Sequence, residues 1–187
     1  MLDWQALYAQ ALPYHDFLQR YGTEAHRARW AAMYGSLALR PAQRALLAGF
    51  TRQMHLLCLA ATWCGDCVRE GTVLQRIAES SPAIGLRFLE RDAHPAVAQA
   101  LAINRGLRIP VVVFLSEEFA ECARYGERTL ATYRKMAAER LGPSCPTGIV
   151  PPEGDYLDTV AAEWLDEIER VQLLLRLSPR LRAIHGD

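Results

Sequence analysis

The sequence predicts an α/β chain: a sheet core over residues 54–142 with helices added before and after it. Three observations predict this. From Met54 onward, apolar runs of strand length alternate with segments of helical period in the order β-α-β-α-β-β-α. Residues 1–53 carry helical spacing and no strand-like run, and residues 143–187 carry a loop followed by helical spacing. The breaks fall at residues suited to end or start helices, Pro13, Gly22, Thr23 and Pro41 among them. The expected organisation is an N-terminal helical extension (1–53) packed on the core (54–142), then a loop and C-terminal helical extension (143–187). The chain has 187 residues, 51% of them hydrophobic, enough for a single compact domain with a full core.

Each element follows in turn. "DWQALYAQALPYHDFLQRYG" places Leu7, Leu12, Phe17 and Leu18 near helical spacing, interrupted by Pro13 and stopped by Gly22. Thr23 suits the cap of a helix over "TEAHRARWAAMYGSL", and Pro41 the first position of a helix over "PAQRALLAGFTRQ". "MHLLCLA" reads as a buried parallel strand. "CVREGTVLQRIAESS" repeats apolar residues at Val68, Val73 or Leu74, and Ile77, as a helix does. "AIGLRFLERD" alternates as a strand, and "PAVAQALAINRG" reads as a helix stopped by Gly106. "IPVVVFLSEEFAECARYG" gives two strands joined at Ser116-Glu117-Glu118, and "ERTLATYRKMAAERLG" a helix. "GPSCPTGIVPPEGD" is a loop, and the last stretch a long helix broken at Ser178-Pro179. A right-handed β-α-β crossover sets the first two strands parallel.

Composition excludes several classes. Formal net charge is zero, so no basic footprint for nucleic acid is signalled. Of the 21 basic residues only Lys135 is lysine, which reads as nucleotide-composition bias, the alternative being arginine-based ion pairing in a heat-adapted host. The richest apolar window, Met54 to Ala61, is far too short for a bilayer span. The first residues include Asp3 and lack a basic run, so no secretory signal is read and the cytoplasm is the expected location. Five cysteines and five scattered histidines fit neither a disulfide scaffold nor a four-ligand zinc or iron–sulfur site. No glycine-rich phosphate loop follows a strand. Neither metal nor organic cofactor is expected.

The chemistry is carried by "ATWCGDCVREG", residues 61–71. Cys64 falls where the first strand gives way to a helix. The unpaired N–H groups and the dipole of that helix start favour a thiolate there. Cys67 lies one turn on, placed to attack a mixed disulfide on Cys64. An attacking thiol and a resolving thiol are the parts of a thiol–disulfide exchange centre. With Trp63 before the pair and "GLRIPVVVF" downstream, the chain resembles the thioredoxin superfamily. The resemblance covers residues 54–142 and implies a thioredoxin fold: a central four-stranded mixed sheet flanked by helices, here with N- and C-terminal helices added. It further implies that Ile109-Pro110 stands where that family opens its third strand with a cis proline facing the cysteines. Trp63, Ile109 and Pro110 then form the substrate-docking surface. The flanking helices, "TWCGDC", "ERDAHP" and "AAEWLDEIERV", resemble a bacterial subgroup of the same superfamily.

Two departures stand out. The family's buried aspartate, six residues before the first cysteine, is replaced by Cys58, and its accompanying lysine is absent. Glu90, Asp92 and His94 are the substitutes considered for its proton-transfer role. Gly65-Asp66 stands in place of Gly-Pro and is assigned a tuning role. Asp66 opposes a thiolate on Cys64 yet suits the first helical turn, and Arg69 is near enough to offset it, so the sign of the thiol shift stays open. Cys58 and Cys122 are expected to pack, and Cys145 to be an incidental loop thiol. Trp30, Tyr34 and Trp164 are expected to pack between helices, and the stripe Leu173, Leu174, Leu175 and Leu177 to pack on the N-terminal helices.

The expected activity is thiol–disulfide exchange between the Cys64–Cys67 pair and protein disulfides, with electrons from a reductase or small thiol. The expected state is a monomer, the alternative a dimer through the terminal stripe. The rival reading is a non-catalytic thioredoxin-fold adaptor or redox sensor built on the same pair. No nucleic acid or membrane partner is expected.

Overall fold

A computed structural model describes residues 2–141 and 155–186. Nine helices and four strands are described, in the order α1 (Trp4–Gln10), α2 (Tyr14–Tyr21), α3 (Glu24–Ser36), α4 (Pro41–Ala48), β1 (Met54–Ala60), α5 (Gly65–Glu79), β2 (Ile84–Glu90), α6 (Pro95–Ala100), β3 (Val111–Leu115), β4 (Glu121–Gly126), α7 (Leu130–Arg140), α8 (Tyr156–Leu177) and α9 (Pro179–His185). The strands form one mixed sheet in the order β2-β1-β3-β4. β1 runs parallel to β2 and antiparallel to β3, which is antiparallel to β4. This is the thioredoxin arrangement, with helices added at both ends.

The helix starts follow from side chains that accept otherwise orphaned backbone N–H groups. Asp3 caps α1, Thr23 caps α3, Thr129 caps α7, Asp155 caps α8 and Ser178 caps α9. Pro41 and Pro179 take the first positions of α4 and α9, where a missing N–H costs nothing. The break between α8 and α9 falls at Ser178, as the sequence predicts.

The N-terminal helices cover β2 on both faces. On one face, Phe88 stacks on Phe17 at 5.3 Å between ring centroids and meets Tyr14 and Trp30 edge-on. On the other, Arg87 lies over the Tyr8 ring of α1. Leu12, between α1 and α2, exchanges two backbone hydrogen bonds with Phe88, at 2.8 and 2.7 Å. That bridge covers part of the outer edge of β2, an edge that would otherwise offer free pairing groups. At the other end of the chain, α8 packs on α5, α7 and β4. Gln172 is buried and its amide brackets residue 52, accepting from Arg52 N–H at 2.8 Å and donating to Arg52 C=O at 2.9 Å.

Two expectations are corrected. The helix over "PAVAQALAINRG" does not reach Gly106. α6 ends at Ala100, and Ile103 and Gly106 close a tight turn with reciprocal hydrogen bonds of 3.0 and 2.9 Å. Asn104 and Arg105 hold positive φ of 48° and 59° there, and asparagine tolerates that region better than most residues. The terminal leucine stripe is also split: Leu175 is buried, whereas Leu173, Leu174 and Leu177 are exposed. Trp30 and Trp164 are fully buried, as expected.

Candidate functional site

The site is assembled at the end of β1, where residues 61–63 lead into α5. The N-terminal helices hold this lead-in. Trp30 Nε1 donates to Thr62 C=O at 2.9 Å, Thr62 Oγ1 donates to Tyr21 C=O at 3.0 Å, and Arg29 reaches Trp63 C=O at 3.2 Å. Trp63 is left 44% exposed, with the Arg91 guanidinium 4.8 Å from its ring centroid. Leu107, also exposed, lies close by in the fold, since Arg91 bridges to its carbonyl.

Cys64 is the N-cap residue of α5. Its sulfur accepts from Cys67 N–H at 3.4 Å. The Cys64 thiol is held near pKa 7, below the usual thiol range. The hydrogen bond from the Cys67 thiol contributes most. Burial opposes it, the backbone N–H groups of Cys67 and Asp66 assist, and the Asp66 charge opposes weakly. Cys67 is fully buried, and burial pushes its thiol well up, with its proton engaged on Cys64 adding to the rise. The two sulfurs are thus poised as unlike groups, one ionising near neutrality and one keeping its proton.

Opposite them stands β3. The Ile109-Pro110 bond is cis, both residues are buried, and Ile109 C=O lies 3.9 Å from Cys64 Sγ. Of the expected docking groups, Trp63 therefore offers a side chain, while Ile109 offers its backbone. Around Gly65 there is open space: a side chain added there would meet nothing within 4 Å.

Asp66 is held by two cations. Its Oδ1 pairs with Arg69 Nη2 and its Oδ2 with Arg128 Nη2, each at 2.6 Å. Arg128 continues to Glu127, which also binds Arg108 and the Tyr133 hydroxyl. The two guanidiniums offset the charge of Asp66, which is the least of the influences on the Cys64 thiol.

Cys58 is fully buried on β1, and burial raises its thiol far above the usual range. It packs, as expected. Cys122 is half-buried on β4, and Cys145 lies outside the described residues. Glu90, Asp92 and His94 bond within the turn after β2: Glu90 accepts from Ala93 N–H, His94 Nδ1 meets Glu90 C=O and Asp92 pairs with Arg91. Among the described residues, no three His, Cys, Asp or Glu side chains gather to hold a metal ion. Nor is any described helix long and apolar enough to cross a membrane.

One residue escaped the sequence reading. Glu70 is fully buried on the apolar face of α5. Its carboxylate accepts from Trp164 Nε1 at 2.6 Å and from Arg69 Nε at 3.1 Å, and Thr132 Oγ1 approaches at 3.4 Å. Its signal was in the spacing: Cys67, Glu70, Leu74 and Ile77 share the helical stripe that faces the core.

Residues 11–140 match the family model described as Thioredoxin. The chain belongs to the thioredoxin family. The match begins within the N-terminal helices, so most of them lie inside the family's pattern. Over 66 residues the chain is 33% identical to a Streptomyces coelicolor protein named "Putative thioredoxin 2", a stretch that is 35% of this chain. That stretch spans about half of the relative, 47% of its length. Among solved structures, a protein of unknown function from Pseudomonas aeruginosa is similar at 24% identity and TM-score 0.72, over 91% of this chain and 99% of that one. An HIV epitope-scaffold is similar at 22% identity and TM-score 0.69, over 90% and 99%. These two likenesses concern the fold.

Proposed function

We propose that this protein is a thiol–disulfide oxidoreductase that cycles Cys64 and Cys67 between dithiol and disulfide, acting on protein disulfides. One observation carries the reading: a partly exposed thiol held near pKa 7 at a helix start, with a buried partner one turn away whose thiol is pushed well up. Family membership and the relative named as a thioredoxin support it.

The Cys64 thiolate attacks one sulfur of the substrate disulfide. A Cys64–substrate disulfide forms and the other substrate sulfur leaves as a thiolate. Cys67 then loses its proton and attacks Cys64 Sγ, closing the Cys64–Cys67 disulfide and releasing the second substrate thiol. Two electrons pass from protein to substrate. The buried aspartate that serves related chains is Cys58 here, so the departing substrate thiolate is the base that takes the Cys67 proton. A reductase or a small thiol in the cytoplasm restores the dithiol.

The test is dithiothreitol-driven reduction of insulin by wild type, Cys64→Ser and Cys67→Ser. Turnover lost in Cys64→Ser, with a trapped mixed disulfide in Cys67→Ser, supports the enzyme. Absence of turnover in wild type, with the pair still oxidisable, would favour the adaptor or sensor instead.

A further inference from the structure

On the Asp66 side of the cysteine pair, α5, α7 and the start of α8 enclose an open pocket of about 280 Å³. Its lining includes the cations Arg69, Arg128, Lys135 and Arg140, against the carboxylates Asp66 and Glu139. Asp66 is already saturated by Arg69 and Arg128. Lys135 and Arg140 are exposed, and neither pairs with a carboxylate among the described residues. The Lys135 ammonium instead rests over the Tyr156 ring at 4.5 Å. The terminal nitrogens of Arg128 hold Asp66 and Glu127, so Lys135 and Arg140 are the cations left for a ligand. Unspent guanidinium and ammonium donors around a polar hollow favour an oxyanion, which would take charge-assisted hydrogen bonds there.

Asp66 links the hollow to the cysteine pair, since it lies two residues after Cys64 in the first turn of α5. Asp66 lines the hollow, and its carboxylate is fixed there by Arg69 and Arg128. We propose that this pocket binds the oxyanion, carboxylate or sulfonate, of a small acidic disulfide, so that the pair exchanges electrons with low-molecular-weight acidic thiols. The proposal rests on the reading of the pair as a thiol–disulfide exchange centre and names a substrate class for it. With a disulfide RS–SR, Cys64 forms Cys64–S–SR and releases RS⁻. Cys67 then closes the protein disulfide and releases the second RS⁻. The two thiolates take up the two protons lost by the cysteines, and two electrons move to the small disulfide. Run in reverse, two acidic thiols reduce the Cys64–Cys67 disulfide.

The experiment measures the second-order reaction of the reduced protein with four disulfides at pH 7 and physiological salt. These are 3,3′-dithiodipropionate (carboxylate), the disulfide of 2-mercaptoethanesulfonate (sulfonate), hydroxyethyl disulfide (neutral) and cystamine (cationic). Each rate is divided by that of free 2-mercaptoethanol with the same disulfide, which removes intrinsic reactivity. The expected result is a normalised preference of about tenfold or more for at least one acidic disulfide over the neutral one. The carboxylate and sulfonate arms show which oxyanion is preferred. Lys135→Gln combined with Arg140→Gln is expected to cut that preference severalfold. Arg176→Gln combined with Arg180→Gln, which removes two exposed charges at and beyond the far end of α8 from Tyr156, is expected to keep it. A readout without variants is inhibition of wild type by millimolar 3-(methylthio)propionate, expected to slow dithiodipropionate and spare hydroxyethyl disulfide. Equal normalised rates across the four disulfides would overturn the pocket while leaving the exchange reading standing. An equal fall in both double variants would assign the preference to the general field of the protein and overturn the pocket also. No reaction with any disulfide would overturn both readings.

Discussion

Trp164 of the C-terminal helix α8 donates its indole N–H to Glu70 of α5, 2.6 Å away, and both side chains are fully buried. The bond joins the C-terminal extension to the helix that begins at Cys64. Arg69 holds the other carboxylate oxygen. Glu70→Ala leaves an indole donor and a guanidinium without their acceptor, and breaking a buried pair in this way costs about 3–5 kcal/mol. Urea unfolding is expected to show a loss of that size, against a smaller loss of about 1–3 kcal/mol for Glu70→Gln, which keeps an acceptor.

The same residue gives a pH signature. Burial holds the Glu70 carboxyl above the usual range, with Arg69 and Trp164 opposing. A carboxyl raised in the folded state favours folding most when protonated. That contribution is complete below the unfolded value, about 4.3, and is lost as pH rises through the folded value. Gln at this position does not titrate. Wild type is therefore expected to gain stability relative to Glu70→Gln between pH 7 and pH 4, read from paired denaturant titrations. A difference independent of pH would show Glu70 to be ordinary.

Cys64 is expected to ionise alone. With its thiol near 7 and that of Cys67 pushed up by burial, iodoacetamide should modify Cys64 with a half-maximal rate near pH 7. At pH 6 the thiolate fraction, and so the rate, is about tenfold below its plateau. Peptide mass spectrometry should find Cys67 unmodified over the same window. Equal labelling of both thiols would contradict the assignment of attacking and resolving roles.

Much of this was legible in the sequence because it is local. β1 runs over the apolar stretch "MHLLCLA", Cys64 caps the helix start, and Ile109-Pro110 precedes β3, each set by neighbours a few residues away. What was missed joins distant parts of the chain. Glu70 reads as one more polar residue on an amphipathic helix until Trp164 is brought to it by α8. Arg128 pairs with Asp66 only because the loop after β4 passes the start of α5. The net shift of the Cys64 thiol stays open in the sequence because that partner of Asp66 is not visible there. The false helix to Gly106 failed differently: its apolar spacing continues past Ala100, but the Asn104-Arg105 turn takes over the backbone hydrogen bonds.

Asp66 and Arg128 should move Cys64 in opposite directions. Asp66→Asn removes the charge that opposes the thiolate and leaves Arg69 and Arg128 uncompensated beside it. Its alkylation profile should shift to lower pH. Arg128→Gln leaves Asp66 less neutralised, and the profile should shift to higher pH. A half-unit shift changes the thiolate fraction at pH 6 about threefold, well within the reach of stopped-flow alkylation. If both variants move the profile in the same direction, the ion pair tunes the site by positioning rather than by charge.

Gly71 tests how the N-terminal helices hold the site. A methyl group at Gly71 of α5 would lie 2.8 Å from two ring atoms of Trp30 and 3.2 Å from Phe88. Helix propensity favours alanine over glycine by about 1 kcal/mol. Trp30 is fully buried and bonded to Thr62 C=O, so the ring has no free direction in which to yield. Overpacking of this kind costs about 1–3 kcal/mol, so a net loss is expected for Gly71→Ala. The Trp30→Leu substitution removes the clashing ring atoms as well as the Thr62 bond. The double variant should therefore be less destabilised than the sum of the two single changes, by about 1 kcal/mol or more. Strict additivity in denaturant unfolding would mean that α3 and α5 yield together at this contact, and that Trp30 does not fix where α5 begins.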